Sequence, residues 1–210
     1  GGAAISEFFS NQFDCQDPYP FCTNPMEFIY TNNIASVTGK ESGLLQETQK
    51  QIAKLKLDER RQDLLTSGMQ SSPSLFIEPR GALADLDRII RNEVAVYFSK
   101  HQTSDCLFIK MWSRKYTLKG WYILMEKGGH LKGHNHPTGW LSGVLYLMVP
   151  ARKADEGYIE FGLHGNNFPV LDAGYPKEVY PIKEGDLVLF PSSLFHRTIP
   201  FHSDVKRLCI

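Results

Sequence analysis

Three histidines within one short stretch, His130, His134 and His136, are the residues of this sequence best suited to chemistry. Neutral imidazole is the commonest metal ligand among protein side chains. Residues two apart in an extended chain project from the same face, so His134 and His136 can point at one metal ion with Asn135 turned away. His130 lies outside this spacing and is interpreted as a loop residue or as a support for a ligand.

A third ligand is predicted in a distant segment, where His196 follows the apolar run Asp186–Phe190 and a turn. A buried strand of this kind would carry His196 to the open end of a β structure, next to the histidine pair. A pair followed by a distant single ligand is the pattern that a facial three-ligand site needs. The other histidines, His101, His164 and His202, have no partner at ligand spacing and are interpreted as structural.

The elements that must position these side chains change in character halfway along the chain. Apolar residues recur at three- and four-residue steps in Leu83–Lys100, and a weaker stripe runs through Gly43–Leu57, so both segments are predicted helices. The first forty residues are rich in proline and turn formers and are predicted to form loops packed as a cap. We therefore expect a loop-rich and helical region over 1–104 that packs on a β core over 105–210.

Short aromatic and β-branched segments fill the second half of the chain. Helices followed by a run of strands are typical of a mainly β core with flanking helices, a sandwich or a barrel, rather than of alternating βαβ units. Tyr158–Pro181, rich in Gly, Asn and Pro, is predicted to be a long loop beside the site that holds specificity. The predicted strands are Cys106–Trp112, Gly120–Met125, Trp140–Val149, Gly157–Gly162, Asp186–Phe190 and Val205–Ile210.

Composition excludes several classes of protein. The chain has 210 residues, of which 42% are hydrophobic, enough to bury one sizeable core. Its 23 basic and 23 acidic residues give no sign of a nucleic-acid or anionic-membrane partner. Four cysteines without CxxC spacing predict reduced thiols in an intracellular, cytoplasmic protein. No apolar run approaches the roughly 18–20 residues that cross a bilayer, and no secretory signal is recognised, so we expect a soluble protein.

Five motifs stand in a set order along the second half of the chain: His134-Asn135-His136-Pro137, Leu141–Leu147, Glu156–Phe161, Gly185–His196 and Arg207. Their order and spacing resemble the Fe(II)/2-oxoglutarate-dependent oxygenase superfamily, most closely its 2OG-Fe(II) oxygenase group distantly related to prolyl 4-hydroxylases. The resemblance covers approximately Leu107–Ile210. It implies a double-stranded β-helix, a cupin-like jelly roll, with the metal at its open end.

For the metal, the resemblance implies Fe(II) bound by His134, His136 and His196. The middle ligand of the superfamily is usually an aspartate or glutamate, and here His136 holds that position. Three neutral imidazoles leave the site dicationic, which should tighten the binding of an anionic co-substrate.

For the co-substrate 2-oxoglutarate, the resemblance places Arg207 where a cation pairs with the far carboxylate in a two-pronged contact. Tyr146 matches a tyrosine that also reaches the co-substrate, although a core aromatic is an equal alternative. Cys209, on the same strand face as Arg207, stands where a hydroxyl residue is frequent. Lys206 is a second candidate cation, but it alternates with Arg207 and would face the other side of the strand.

We therefore expect an Fe(II)- and 2-oxoglutarate-dependent dioxygenase that hydroxylates a small molecule or a protein side chain and releases succinate and CO2. Two alternatives stay open. A cupin-type metalloenzyme without 2-oxoglutarate fits the spacing of the histidines, but it lacks the cupin glutamate and leaves Arg207 unexplained. A non-catalytic jelly-roll binding module would keep the fold with an altered metal centre. Neither the oligomeric state nor the substrate is indicated by the sequence.

Overall fold

The computed structural model describes residues 2–34, 43–55, 57–151, 153–169 and 174–210. The helices in these ranges are α1 Gly2–Phe13, α2 Gly43–Lys54, α3 Ala82–His101 and the single turn α4 Leu107–Lys110, with a short 3-10 helix at Pro25–Phe28. The strands are β1 Tyr30–Asn33, β2 Glu59–Arg60, β3 Leu65–Ser71, β4 Ile123–Leu131, β5 Leu141–Met148, β6 Ile159–Gly162, β7 Lys177–Tyr180, β8 Asp186–Pro191, β9 Phe195–Thr198 and β10 Arg207–Cys209.

The strands form two antiparallel sheets that pack face to face. The large sheet has the order β1-β8-β5-β10-β4-β3-β2, and the small sheet has the order β7-β6-β9. Between them, the rings of Phe161 on β6 and Phe190 on β8 have centroids 4.8 Å apart. This two-sheet arrangement confirms the predicted jelly roll, mainly β with flanking helices.

Strand alternation gives the large sheet two different apolar faces. Its outer face, with Leu145 and Leu208, packs against the helices in one buried cluster. Its inner face, with Tyr146 and Cys209, packs against the small sheet in a second cluster. The side chains one residue apart in β5 and β10 therefore enter different cores, and the inner core is the one that meets the candidate site.

The two predicted helices are confirmed, because both have apolar stripes that the large sheet covers. Helix α3 places Leu86, Ile90 and Tyr97 in the outer core, and α2 adds Leu45 and Ile52. Within the described ranges, the helices are too short or too polar to cross a lipid bilayer.

The prediction of a strand over Cys106–Trp112 was wrong, because most of this segment forms α4. A short apolar run has no period that separates a strand from a buried helical turn. Phe108 and Trp112, four residues apart, lie on one side of the turn with ring centroids 5.7 Å apart. Tertiary packing of this aromatic pair, rather than strand pairing, therefore decides the local structure.

The amino-terminal half contains more regular structure than the predicted loops and helices. Helix α1 occupies part of the segment predicted as loops, since Phe8 packs against Phe168 with centroids 4.9 Å apart. Strands β1, β2 and β3 join both edges of the large sheet. Their sequences lack the alternation of apolar and polar residues that is typical of a half-buried strand. Their strand structure therefore depends on pairing with strands far along the chain.

The segment predicted as a long loop, Tyr158–Pro181, is partly a hairpin. Strands β6 and β7 pair antiparallel, with Ile159 opposite Tyr180 and Gly162 opposite Lys177. The loop that remains begins at residue 163, and residues 170–173 lie outside the described part of the chain. Val179 of β7 is exposed and the strand lies at the edge of its sheet, which explains its weak hydrophobic pattern.

Candidate metal centre

The segments that carry the three predicted metal ligands are joined by backbone hydrogen bonds. The N–H of His134 donates to the carbonyl of His196 at 3.1 Å, and the N–H of His196 donates back at 2.9 Å. The N–H of His136 donates to the carbonyl of Ser192 at 2.9 Å. This two-residue register brings the distant His196 beside the pair and turns all three imidazoles to one point.

The imidazole nitrogens are spaced for one metal ion. One ring nitrogen from each of His134, His136 and His196, the histidine cluster, lies within 4.8 Å of the others. The Nε2 atoms of His136 and His196 are 3.3 Å apart. Two imidazole nitrogens about 2.1 Å from the same metal and separated by 90–110° would be about 3.0–3.4 Å apart. The nitrogens of His136 and His196 are therefore already at the spacing of two ligands of one metal, with a nitrogen of His134 close by.

Backbone carbonyls decide which nitrogen of two rings is free. Nδ1 of His134 donates to the carbonyl of Lys132 at 2.7 Å, and Nδ1 of His196 donates to the carbonyl of Leu194 at 3.3 Å. A carbonyl only accepts, so the proton is on Nδ1 and the lone pair of Nε2 is available. Such contacts also hold a ligand ring in orientation.

Burial keeps the histidine cluster in the neutral form that binds metals. Burial lowers the pKa of His134, an effect that the carbonyl of Lys132 partly offsets. Burial and the neighbouring His134 lower the pKa of His136 from 6.5 to about 4. Burial, then His134 and His136, holds the pKa of His196 well below its usual value. At neutral pH the three imidazoles therefore present lone pairs rather than positive charges.

Acid is expected to destabilise the protein after a chelator has removed metal. The pKa of His136 is lowered on folding, so between about pH 4 and about pH 6.5 the unfolded chain holds more protons than the folded one. The stability that this histidine contributes is complete above its unfolded pKa and is lost as the pH falls towards the folded value. Urea unfolding at about pH 5 and about pH 7 measures the change in the free energy of unfolding. His136→Asn should reduce that change, and an unaltered change would contradict the depressed pKa.

Aromatic side chains surround the cluster. The rings of Phe190 and Phe161 lie 4.7 Å and 6.3 Å from the ring of His196, between centroids, and the ring of Trp121 lies 5.7 Å from that of His136. Phe161 and Phe190 are fully buried, whereas Trp121 is half-buried. The inner core therefore keeps water from one side of the cluster, and His136 beside Trp121 is its more accessible side.

Arg207 is a buried cation without a hydrogen-bond partner on two of its nitrogens. Its exposed fraction is 2%, and its Nε and Nη1 atoms have no partner among the described residues. Its guanidinium carbon lies 5.1 Å from the ring centroid of Tyr146, whose buried hydroxyl has no partner there either. A buried charge is costly unless it is paired. The arrangement is therefore complementary to an anion that can reach the inner core.

The other predicted co-substrate residues lie beside this arginine. Cys209 shares the inner face with Tyr146, which it opposes in the sheet, and burial raises the pKa of its thiol. Burial also raises the pKa of the Tyr146 hydroxyl, with Arg207 opposing the change. Both groups are therefore neutral hydrogen-bond donors. Lys206 lies exposed and pairs with Glu126 at 3.0 Å, on the opposite side from Arg207.

Sequence reasoning missed a loop that holds the ligand segment. The N–H of Asn166 donates to the carbonyl of Gly133 at 3.1 Å, and its side-chain amide donates to Oδ1 of Asn135 at 3.4 Å. Asn135 in turn donates to the carbonyl of Ser193 at 3.4 Å. No motif marks Asn166 in the sequence, apart from the tolerance of asparagine for its positive φ of 51°. The loop therefore braces the chain between His134 and His136 from outside.

Gly165→Ala is expected to disturb this brace. A Cβ atom at residue 165 would lie 2.3 Å from Cδ1 of Phe195, the buried neighbour of His196. Overpacking of this kind costs about 1–3 kcal/mol of unfolding free energy. Gly174→Ala is the control, because a Cβ there meets no atom within 4 Å. Thermal unfolding and metal titration of both variants check the expectation, and equal behaviour of the two would refute it.

The sequence matches a known family over its last part. Residues 119–210 match the family model described as "Putative 2OG-Fe(II) oxygenase". This segment contains the histidine cluster, Tyr146, Arg207 and Cys209. No curated protein matches the sequence.

Solved structures share the fold at low sequence identity. A prolyl-4-hydroxylase from Pseudomonas putida is 14% identical with a TM-score of 0.52, over 86% of this chain and 88% of the other. A Trichoplax adhaerens prolyl hydroxylase, in complex with a hypoxia inducible factor peptide, is 12% identical with a TM-score of 0.56, over 99% and 87%. The alpha ketoglutarate dependent epimerase SnoN of nogalamycin biosynthesis is 13% identical with a TM-score of 0.58, over 86% and 73%. These likenesses are of fold alone, and residues 119–210 are the part of the chain that is similar to the 2OG-Fe(II) oxygenase family.

Proposed function

We propose that the protein is an Fe(II)- and 2-oxoglutarate-dependent dioxygenase that hydroxylates its substrate and releases succinate and CO2. The observation that carries this proposal is Arg207, a buried guanidinium with unpartnered nitrogens in the jelly roll that also gathers three imidazoles. A structural arginine would have its nitrogens satisfied by the fold. The family match of residues 119–210 supports the same function.

The histidine cluster would hold Fe(II) through its ring nitrogens, with Nε2 free on His134 and His196. When bound, Fe(II) and 2-oxoglutarate supply an oxidation in which one oxygen atom of dioxygen enters succinate and the other enters the substrate. The site has no carboxylate ligand among these three residues, so the charge of the ion is left for an anionic co-substrate to compensate. This replacement of the usual acid by His136 therefore favours binding of a keto acid.

Arg207 would bind the far carboxylate of 2-oxoglutarate with two parallel N–H donors, which selects a dicarboxylate over a monocarboxylic acid. The hydroxyl of Tyr146 would donate to the same carboxylate, and the neutral thiol of Cys209 would form the adjacent wall. Phe161 and Phe190 would exclude water, which strengthens the charge pair by lowering the local dielectric constant.

Proteins with this fold differ in the outcome of the reaction. SnoN, with a similar fold, is an epimerase, so the fold accommodates outcomes other than hydroxylation. We propose hydroxylation of a small molecule or a protein side chain, with no nucleic-acid or membrane partner. An oxygen-18 label from dioxygen that appears in the product would identify hydroxylation, and its absence would exclude it.

Anaerobic spectroscopy tests the co-substrate before any substrate is known. Fe(II) is added to the purified full chain, followed by 2-oxoglutarate, and the visible charge-transfer band of an iron-chelated keto acid is recorded. A band that saturates with 2-oxoglutarate is expected. Bound iron without a band would favour a cupin-type metalloenzyme, and a chain that binds no iron would favour a non-catalytic binding module.

A further inference from the structure

An open groove of about 540 Å³ lies over the outer side of the small sheet, next to the histidine cluster. Phe195 and Arg197 contribute to its floor and alternate with His196 along β9, so they point away from the inner core. The end of β4 forms one wall, and residues 163–167, which follow β6, form the other. The proposed function uses none of these outward-facing side chains.

The groove borders the chain that carries the ligands. Gly133, in one wall, precedes His134 and accepts the N–H of Asn166 from the opposite wall at 3.1 Å. Lys132 precedes Gly133, and its side chain is exposed while its carbonyl orients the ring of His134. A molecule in the groove would therefore lie against the metal-binding segment itself.

The lining of the groove has an excess of positive charge. Lys132 and Lys177 are exposed and have no ion-pair partner within the part of the chain that the structure describes. Arg197 makes two hydrogen bonds to Glu160, at 2.7 Å and 2.8 Å. Glu160 is the only carboxylate among the described lining residues, and Arg197 already neutralises it. Two lysines are thus left to attract an anion.

Two histidines of the lining keep a free ring nitrogen. Nδ1 of His130 donates to the carbonyl of Gly128 at 2.9 Å, and Nε2 of His164 donates to the carbonyl of Phe168 at 2.6 Å. Their other nitrogens can accept a hydrogen bond from a polar ligand. The groove therefore offers acceptors as well as cations, which suits a ligand that carries hydroxyl or amide groups beside its negative charge.

We propose that this groove binds an anionic ligand, a carboxylate- or phosphate-bearing group that lies against the backbone of the metal-binding segment at Lys132 and Gly133. Binding in the groove depends on its own residues and does not rest on the proposed function. The shared ligand chemistry is a negative charge next to polar atoms, held by Lys132 and Lys177 at the end of β4 and the start of β7.

Fluorescence anisotropy with the full chain tests the groove. The probes are a rhodamine-labelled decapeptide of alternating glycine and glutamate and the matching glycine and glutamine peptide. We expect the acidic peptide to bind about tenfold more tightly at low salt, and this advantage to shrink as salt is added. Equal binding of the two peptides would overturn the proposal. Inorganic phosphate then serves as competitor against the bound acidic peptide. Displacement of the peptide would show that the groove also accepts phosphate, and no displacement would show that it binds carboxylates selectively. Either result supports an anion-binding groove.

Reversal of the lysine charges in the groove tests whether the acidic peptide binds there. The double variant Lys132→Glu and Lys177→Glu is expected to lose about tenfold or more in affinity for the acidic peptide, and Lys177→Gln, a milder change, about threefold. The control is Lys50→Glu with Lys54→Glu, which reverses the same charge on the exposed face of α2 and should alter affinity by less than about twofold. Equal losses in both double variants would show general attraction and refute the groove.

The charge-transfer experiment on the wild-type chain separates the two proposals. A wild-type protein without the 2-oxoglutarate band, but with groove-dependent peptide binding, would overturn the proposed function and keep the groove. If the wild-type protein shows the band but peptide binding is unchanged by substitution of Lys132 and Lys177, the groove is overturned and the proposed function is kept. Circular dichroism of each variant verifies that a lost affinity is not lost folding.

Discussion

His196→Ala should abolish stoichiometric Fe(II) binding. The imidazole supplies one of three nitrogens that lie within 4.8 Å of one another, and its Nε2 is 3.3 Å from that of His136. Loss of a residue that only hydrogen-bonds to a metal ligand typically lowers metal affinity 10–100-fold, so loss of the ligand itself should lower it at least about 100-fold. His134→Ala should behave in the same way, because its ring is buried and oriented by the carbonyl of Lys132. Anaerobic Fe(II) titration followed by desalting and iron determination measures both.

His202→Ala is the matched control for this pair of variants. His202 is exposed and pairs with Glu156 at 2.8 Å, away from the cluster. The Fe(II) affinity of the His202→Ala variant should equal that of the wild type. Tight binding of one equivalent of Fe(II) by His196→Ala would remove that residue from the coordination sphere and with it the proposed metal centre.

His136→Asp examines the unusual third ligand. The substitution introduces the carboxylate that the superfamily ordinarily has at this position. We expect Fe(II) binding to persist and the affinity for 2-oxoglutarate to fall, because the added negative charge reduces the net charge that attracts a dianion. Iron affinity that is indifferent to every substitution of His136 would exclude it as a ligand.

Arg207→Met should separate co-substrate binding from metal binding. Removal of one partner from a buried charge pair typically costs 3–5 kcal/mol, so we expect the dissociation constant of 2-oxoglutarate to rise at least about 100-fold. Fe(II) affinity should be unchanged, since Arg207 is not part of the histidine cluster. The intensity of the charge-transfer band as a function of 2-oxoglutarate measures the first effect, and iron titration measures the second.

Arg207→Met, which should weaken the binding of 2-oxoglutarate, should stabilise the ligand-free protein. Without a ligand, Arg207 is a buried charge with two unpartnered nitrogens, and methionine of similar length removes this cost. The free energy of unfolding of the ligand-free protein should therefore rise, by about 1 kcal/mol or more. Lys206→Met, at the exposed neighbour paired with Glu126, is the control and should change neither quantity appreciably. A strongly destabilised Arg207→Met would mean that the arginine serves the fold instead.

Features that depend on local periodicity could be predicted from the sequence. The two-residue step between His134 and His136 puts both rings on one side of an extended chain, and the stripe of Leu83–Lys100 produces α3. Alternation also predicts that Arg207 and Lys206 face opposite ways, and the structure buries the first and exposes the second. Side chains a few residues apart obey the geometry of their own strand or helix, so no distant contact is needed.

Features that depend on partners far along the chain could not be predicted from the sequence, because they arise when distant segments pack together. Phe108 and Trp112 pack edge to face beside a helical turn where a strand was predicted, and β1 is ordered by pairing with β8. The 3.3 Å separation of the nitrogens of His136 and His196, about sixty residues apart, follows from the backbone ladder between their segments. The groove and the unpartnered nitrogens of Arg207 likewise arise from packing, because burial and charge pairing are sums over neighbours that no local pattern encodes.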